Sequence, residues 1–157
     1  MSRTISFRGT LDMGTQDRIK LSTLKGKVGY KINKFQIMST LPGQSGKSVE
    51  YVAQIFKTDQ TGSITPDVNF TNSDLLAVIH LQDQQASDNP ASEIIIFDNE
   101  VFNQDIFVTM QDADGDTVPG NYYIELETMP LSDLQATQLT LKNLRSIASD
   151  QWVNNII

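Results

Sequence analysis

Lys27-Val28-Gly29-Tyr30-Lys31-Ile32-Asn33-Lys34-Phe35-Gln36-Ile37-Met38-Ser39-Thr40 decides the fold class. Val28, Tyr30 and Ile32 stand at every second position, and the same spacing resumes with Phe35, Ile37 and, past a gap, Leu41. A period of two lines one face of a strand, whereas a helix requires apolar residues three and four apart. The step from Ile32 to Phe35 slips the pattern by one residue at Asn33-Lys34. A β-bulge there restores it.

The same grammar extends in both directions. Ile5, Phe7 and Leu11 open the chain, and residues 17–23 carry Ile19 and Leu21 at strand spacing. Residues 48–58 place Val49, Tyr51, Ala53 and Ile55 on one face with Phe56 against it. Residues 74–82 are apolar on both faces for part of their length, as suits a strand buried inside a sandwich. Stretches 93–97, 105–111 and 121–129 complete about eight strands. Turn residues separate them: Leu41-Pro42-Gly43, the 59–62 segment, Asp88-Asn89-Pro90, Asp98-Asn99 and Pro119-Gly120-Asn121. The reading is an all-β antiparallel β-sandwich over residues 1–130. For that strand count a single jelly roll is a standard solution to the edge-strand problem.

Residues 131–157 change period and read as a short C-terminal helix or arm of the same domain. Leu134, Leu141, Leu144 and Ala148 fall near 3.6-residue spacing, and Pro130 followed by Ser132-Asp133 reads as a helix start with Ser132 as the cap. Leu139-Thr140-Leu141 also alternates, so a strand or irregular arm is the alternative. The end, Gln151-Trp152-Val153-Asn154-Asn155-Ile156-Ile157, is apolar for a terminus and is expected to dock on its own core or on a neighbour.

Composition excludes whole classes of chemistry. The 157 residues contain no Cys and one His, which removes disulfide scaffolds, thiolate metal sites, Cys nucleophiles and multi-His centres. A net charge of −7 opposes a generic nucleic-acid binder, which needs a basic surface. No stretch has the apolar core of a signal peptide or the length to span a bilayer, so the expectation is a soluble protein made in a cytoplasm. The charge is uneven along the chain: residues 1–57 hold ten basic residues against three acidic, and the remainder holds two against sixteen. If folding keeps the two sets apart, opposite faces of one subunit attract and favour ring or head-to-tail packing. Interleaved strands would instead solvate or neutralise the basic set.

The motifs that suggest chemistry are incomplete. Gly43-Gln44-Ser45-Gly46-Lys47-Ser48 ends like a phosphate-binding loop, but Leu41 stands where the first glycine belongs and a strand follows where a helix is needed. Asp112, Asp114 and Asp116 have the carboxylate spacing of a Ca²⁺ loop, yet Thr117 and Tyr123 occupy the positions of the required Gly and bidentate Glu. A tight acidic turn explains the same residues. His80 sits among apolar neighbours with no nucleophile elbow to serve, and reads as a packed or rim histidine. Nothing singles out a carboxylate pair for glycoside hydrolysis. No enzyme and no cofactor are expected. Tyr122 and Tyr123 point to opposite faces of a strand, so at most one joins any stacking platform. The amides, Gln82, Gln104, Gln111 and Asn103 among them, suit wet subunit contacts or any acidic surface.

Phe97-Asp98-Asn99-Glu100-Val101-Phe102-Asn103-Gln104-Asp105-Ile106-Phe107-Val108-Thr109, Asn121-Tyr122-Tyr123-Ile124-Glu125-Leu126-Glu127 and Thr140-Leu141-Lys142-Asn143-Leu144-Arg145 resemble phrases of small β-sandwich virion proteins of bacterial viruses, of the marine-phage type. The resemblance lies in the C-terminal third and implies a capsid, decoration, penton or spike-base subunit of a virion. Its partners would be copies of itself and other virion proteins, and its work would be assembly in a symmetric homo-oligomer. Trp152, Val153, Ile156 and Ile157 are the expected apolar arm, and Lys25, Lys27, Lys31 and Lys34 the expected basic patch. The rival reading is a non-catalytic module that binds a glycan or host surface through its loops. Its natural loops, 41–47, 83–92 and 112–120, carry no aromatic residue. If the arm drives assembly, deleting residues 151–157 leaves a folded domain of lower native mass by light scattering. An unchanged assembly state refutes the arm.

Overall fold

The structure, a computed structural model, describes residues 2–42, 49–83, 91–97 and 100–156, without the side chains of residue 91 and of residues 145–156. Eight strands precede one helix: β1 (Arg3–Leu11), β2 (Thr15–Ile19), β3 (Val28–Ser39), β4 (Val49–Phe56), β5 (Leu75–Asp83), β6 (Ala91–Ile96), β7 (Ile106–Asp112), β8 (Gly120–Pro130) and α1 (Asp133–Ile156). The strands form two antiparallel sheets, ordered β1-β8-β3 and β2-β7-β4-β5-β6. The pairs β1–β8, β2–β7 and β4–β5 are the rungs of one long hairpin wound upon itself, and the contacts β8–β3 and β7–β4 are what the winding produces. The jelly-roll path is thus followed with one departure. β6 bonds to β5 instead of reaching across to β3.

Side-chain alternation explains the core. On β8, Tyr122, Ile124 and Leu126 point inward and are buried, while Tyr123, Glu125 and Glu127 point out. β3 supplies Tyr30 and Ile32, then Phe35, and its register against β8 shifts between Ile32 and Lys34, the bulge that the spacing requires. From the other sheet Tyr51, Ala53, Ile55, Ile79, Ile106, Val108 and Met110 close the interior. The Tyr51 hydroxyl donates to Val118 O at 2.7 Å, so this fully buried phenol leaves no donor unmet. Gly120 begins β8 because Met110 and Tyr51 press against its backbone; a Cβ there would strike the Met110 sulfur.

β2 is shorter than the 17–23 pattern suggests. It stops at Ile19 because the N–H groups of Leu21 and Ser22 donate to Asp105 Oδ1, at 2.8 and 2.9 Å, rather than to a strand. Asp105 is itself buried and also receives Arg18 Nη2 on Oδ2 at 2.6 Å. Burial works to raise its pKa, but the Ser22 and Leu21 N–H bonds and Arg18 outweigh it and hold the carboxyl below the usual range. A depressed folded-state pKa adds stability above the unfolded value near 3.9 and loses it as pH falls through the folded value. Asp105→Asn is therefore expected to cost about 1–3 kcal/mol at neutral pH, with the gap from wild type narrowing below about pH 4. Urea unfolding of both proteins across that range checks it; a gap independent of pH refutes the assignment.

Candidate functional site

α1 begins as its sequence dictates. Ser132 Oγ accepts the Gln135 N–H and Gln135 Oε1 accepts the Ser132 N–H, at 3.2 and 3.0 Å, a reciprocal capping box. Asp133 in the first turn favours the positive end of the helix dipole, and Lys27 reaches it at 2.7 Å. Leu139-Thr140-Leu141 is helical, which removes the strand alternative, and the helix runs on to Ile156, past Ala148 where the leucine pattern ends.

One side of α1 faces the sandwich. Ala136 is buried, and Asn103, 1% exposed, places its Nδ2 within 3.0–3.3 Å of Gly26 O, Ala136 O and Thr140 Oγ1. Gly26 holds φ at +63°, and a Cβ on it would collide with the Asn103 amide, so the 23–27 turn, Asn103 and α1 pack as one joint. Glu100 adds a second tie, lying 3.6 Å from the buried Lys57 and 3.7 Å from Lys142 of the helix. Asn103 is thus an internal fastener and not a wet surface amide. No motif marks it; its burial is visible only once 100–103 is threaded between β3 and α1, with Phe102 bridging Tyr30.

Three leucines of α1 are uncovered, Leu134 and Leu141 on the side away from Ala136 and Leu144 one turn past Thr140, with Gln138 and Lys142 exposed among them. Leu134 is 67% exposed, Leu141 49% and Leu144 55%. At 100° per residue Leu134 and Leu141 share one direction, away from Ala136 and Thr140. Leu24, on the turn that touches the helix through Gly26, is wholly exposed as well. Trp152, Val153 and Ile156 lie on α1 but their side chains, and all of Ile157, fall outside the described residues.

The four lysines of the expected patch lie along β3 and the turn that leads into it. β8 separates the two basic strands of its sheet, and the register sets Lys31 opposite Glu127 and Lys34 opposite Glu125. Lys27 is engaged by Asp133. Three of the ten basic residues of the first 57 are thus met by carboxylates of the last strand and helix of the same chain. Of the expected patch, Lys25 alone is placed on the exposed turn beside Leu24 without an assigned carboxylate opposite.

The acidic turn closes on itself. Asp112 Oδ1 accepts the Asp114 N–H at 2.8 Å and the Glu50 N–H at 3.3 Å. Burial, with the charges of Asp116 and Asp114 adding, pushes its carboxyl above the ordinary range despite those bonds. Among the described residues no group of three or more His, Asp or Glu side chains converges to hold a metal ion. His80 is a rim residue 3.0 Å from Glu50 Oε1. Tyr122 is buried and donates to Asp17 Oδ2, while Tyr123 faces outward to Glu125. The Gly43-to-Ser48 stretch lies outside the described residues. No described helix is long and apolar enough to cross a membrane.

No protein-family model matches this sequence, and comparison with curated proteins gives no significant match. What the site can do rests on its geometry. Asn103→Ala strips three hydrogen-bond acceptors at the joint and is expected to cost about 1–3 kcal/mol. Hydrogen exchange should then rise in α1 while β7 and β8 stay protected. Equal protection of α1 in variant and wild type refutes the fastener role.

Proposed function

We propose that this chain is a structural subunit of a virion, a capsid or capsid-associated protein that works by subunit–subunit contact through the outer face of α1 and its C-terminal end. The observation that carries the reading is a helix held to the sandwich through Asn103, Ala136 and Thr140 while its Leu134, Leu141 and Leu144 stay exposed to solvent. A fixed apolar ridge of this kind costs solubility unless something covers it. Fastening it to a rigid sandwich removes the entropy cost of ordering an arm at the moment of contact.

The wound sandwich supports the same reading. Its self-neutralised β1-β8-β3 face leaves apolar burial, rather than long-range charge attraction, as the source of affinity, with Lys25 and the surrounding carboxylates acting on register and partner choice. The resembling stretches also include Asn103 and Thr140 of the joint and Leu141 and Leu144 of the helix.

Leu134→Glu with Leu141→Glu should reduce a discrete oligomer to monomer in light scattering while circular dichroism and melting temperature stay close to wild type. Because the contact is apolar, wild-type mass should hold between low and high salt. A wild-type monomer at all concentrations, or an oligomer untouched by the double substitution, refutes assembly through α1.

A further inference from the structure

The connection 57–74 between β4 and β5 has no regular secondary structure, and a connection that long in a compact domain is usually functional when it is ordered. It is held in shape by its own short side chains: Asp59 takes the Thr61 N–H and hydroxyl, Asn69 takes those of Thr71, and Asn72 takes the Asp74 N–H. Gln16 of β2 ties its near end to Asp59 and Gln60. So braced, the connection lies over the outer face of the β2-β7-β4-β5-β6 sheet, and a pocket of about 210 Å³ remains beneath it.

The floor of that pocket breaks the apolar pattern of the sheet. Gln54 and Thr109 are cross-strand partners at the middle of β4 and β7, 4% and 2% exposed, among Val52, Phe56 and Val78. Gln54 Nε2 donates to Asp67 O at 3.1 Å, but its Oε1 accepts from no described group. That oxygen is an acceptor on the pocket lining, open to a hydroxyl donor. Around it stand the Asp67 carboxylate, the Ser63, Thr65 and Thr109 hydroxyls, and Asn69 and Asn72, whose amide nitrogens make no hydrogen bond to the described residues. Phe56 and Ile64 give one apolar wall. No Lys, Arg or His lines the space.

We propose that this pocket binds a single neutral sugar ring. Each hydroxyl of a sugar both donates and accepts, which matches a wall that alternates amide nitrogens with carbonyl and carboxylate oxygens. The C–H face of the ring meets Phe56 and Ile64. The lack of cationic side chains rejects phosphates and carboxylates, and Asp67 repels them. The volume holds about seven waters at roughly 30 Å³ each, room for one ring and not for a larger ligand. This inference is independent of assembly through α1.

The test is ligand-observed NMR followed by calorimetry on the whole protein, with glucose, galactose, mannose and N-acetylglucosamine as probes and inorganic phosphate and acetate as controls. A ligand this small is expected to bind with Kd on the order of 1 mM. Gln54→Met should abolish binding. Asn69→Asp, which keeps the acceptor that holds Thr71 and replaces the donor by an anionic oxygen, should weaken it about tenfold at unchanged melting temperature. No saturable binding of any of the four sugars up to about 100 mM, binding indifferent to Asn69→Asp, or preference for phosphate or acetate each overturns the proposal.

Discussion

β8 can occupy its place only after everything else has been made. It lies between β1 and β3, so the second-to-last element of the chain joins the first strand to the third, and neither of those bonds to any other strand in that sheet. Remove β8 and β1 and β3 lose their ladders together, and the inner faces of Ile5, Phe7, Ile32 and Phe35 lose Ile124 and Leu126. The remaining features follow from this one insertion. α1 leaves β8 after a two-residue link, so its starting point is dictated by where β8 ends. The lysines of β3 meet the glutamates of β8 for the same reason.

Much of this was legible in the residues. The alternation around Tyr30 and Ile37 announced β3 and even its bulge, since one extra residue is the only way to keep Ile32 and Phe35 on the same face. Pro130 and Ser132-Asp133 announced the helix start, because a cap acts within four residues. The failures are of another kind. β2 ends early because Asp105, more than eighty residues away in sequence, claims its continuing N–H groups. Asn103 reads as one amide among many, and its role depends on Gly26, Ala136 and Thr140 arriving from three separate segments. Gln54 and Thr109 interrupt an apolar pattern by one residue each, which looks like ordinary noise until β4 and β7 are paired. Local rules reach a few residues; sites are made by elements that meet late.

The two proposed surfaces sit on different parts of the architecture and depend on different elements. The ridge belongs to α1 and is positioned by the joint at Gly26, Asn103 and Thr140. The pocket belongs to the outer face of the larger sheet and is shaped by the β4–β5 connection. They share no residue. A particle subunit with that division can be held by neighbours through one surface while the other remains available to solutes.

The order of pairing also bears on synthesis. A ribosome releases β1, β3 and β4 first, together with nearly all of the positive charge of the chain, while the strands and carboxylates that complete them are still unmade. Three of the early strands wait for a late one, β1 and β3 for β8 and β2 for β7, while β4 can pair at once with β5. The nascent chain is then a long basic polymer beside polyanionic ribosomal RNA, with apolar faces that have nothing to pair with. Folding of this topology is a single late event, governed by loop closure over almost the whole length of the chain and slow for that reason. The wound path that closes the finished core thus makes the unfinished chain the most exposed stage of its life.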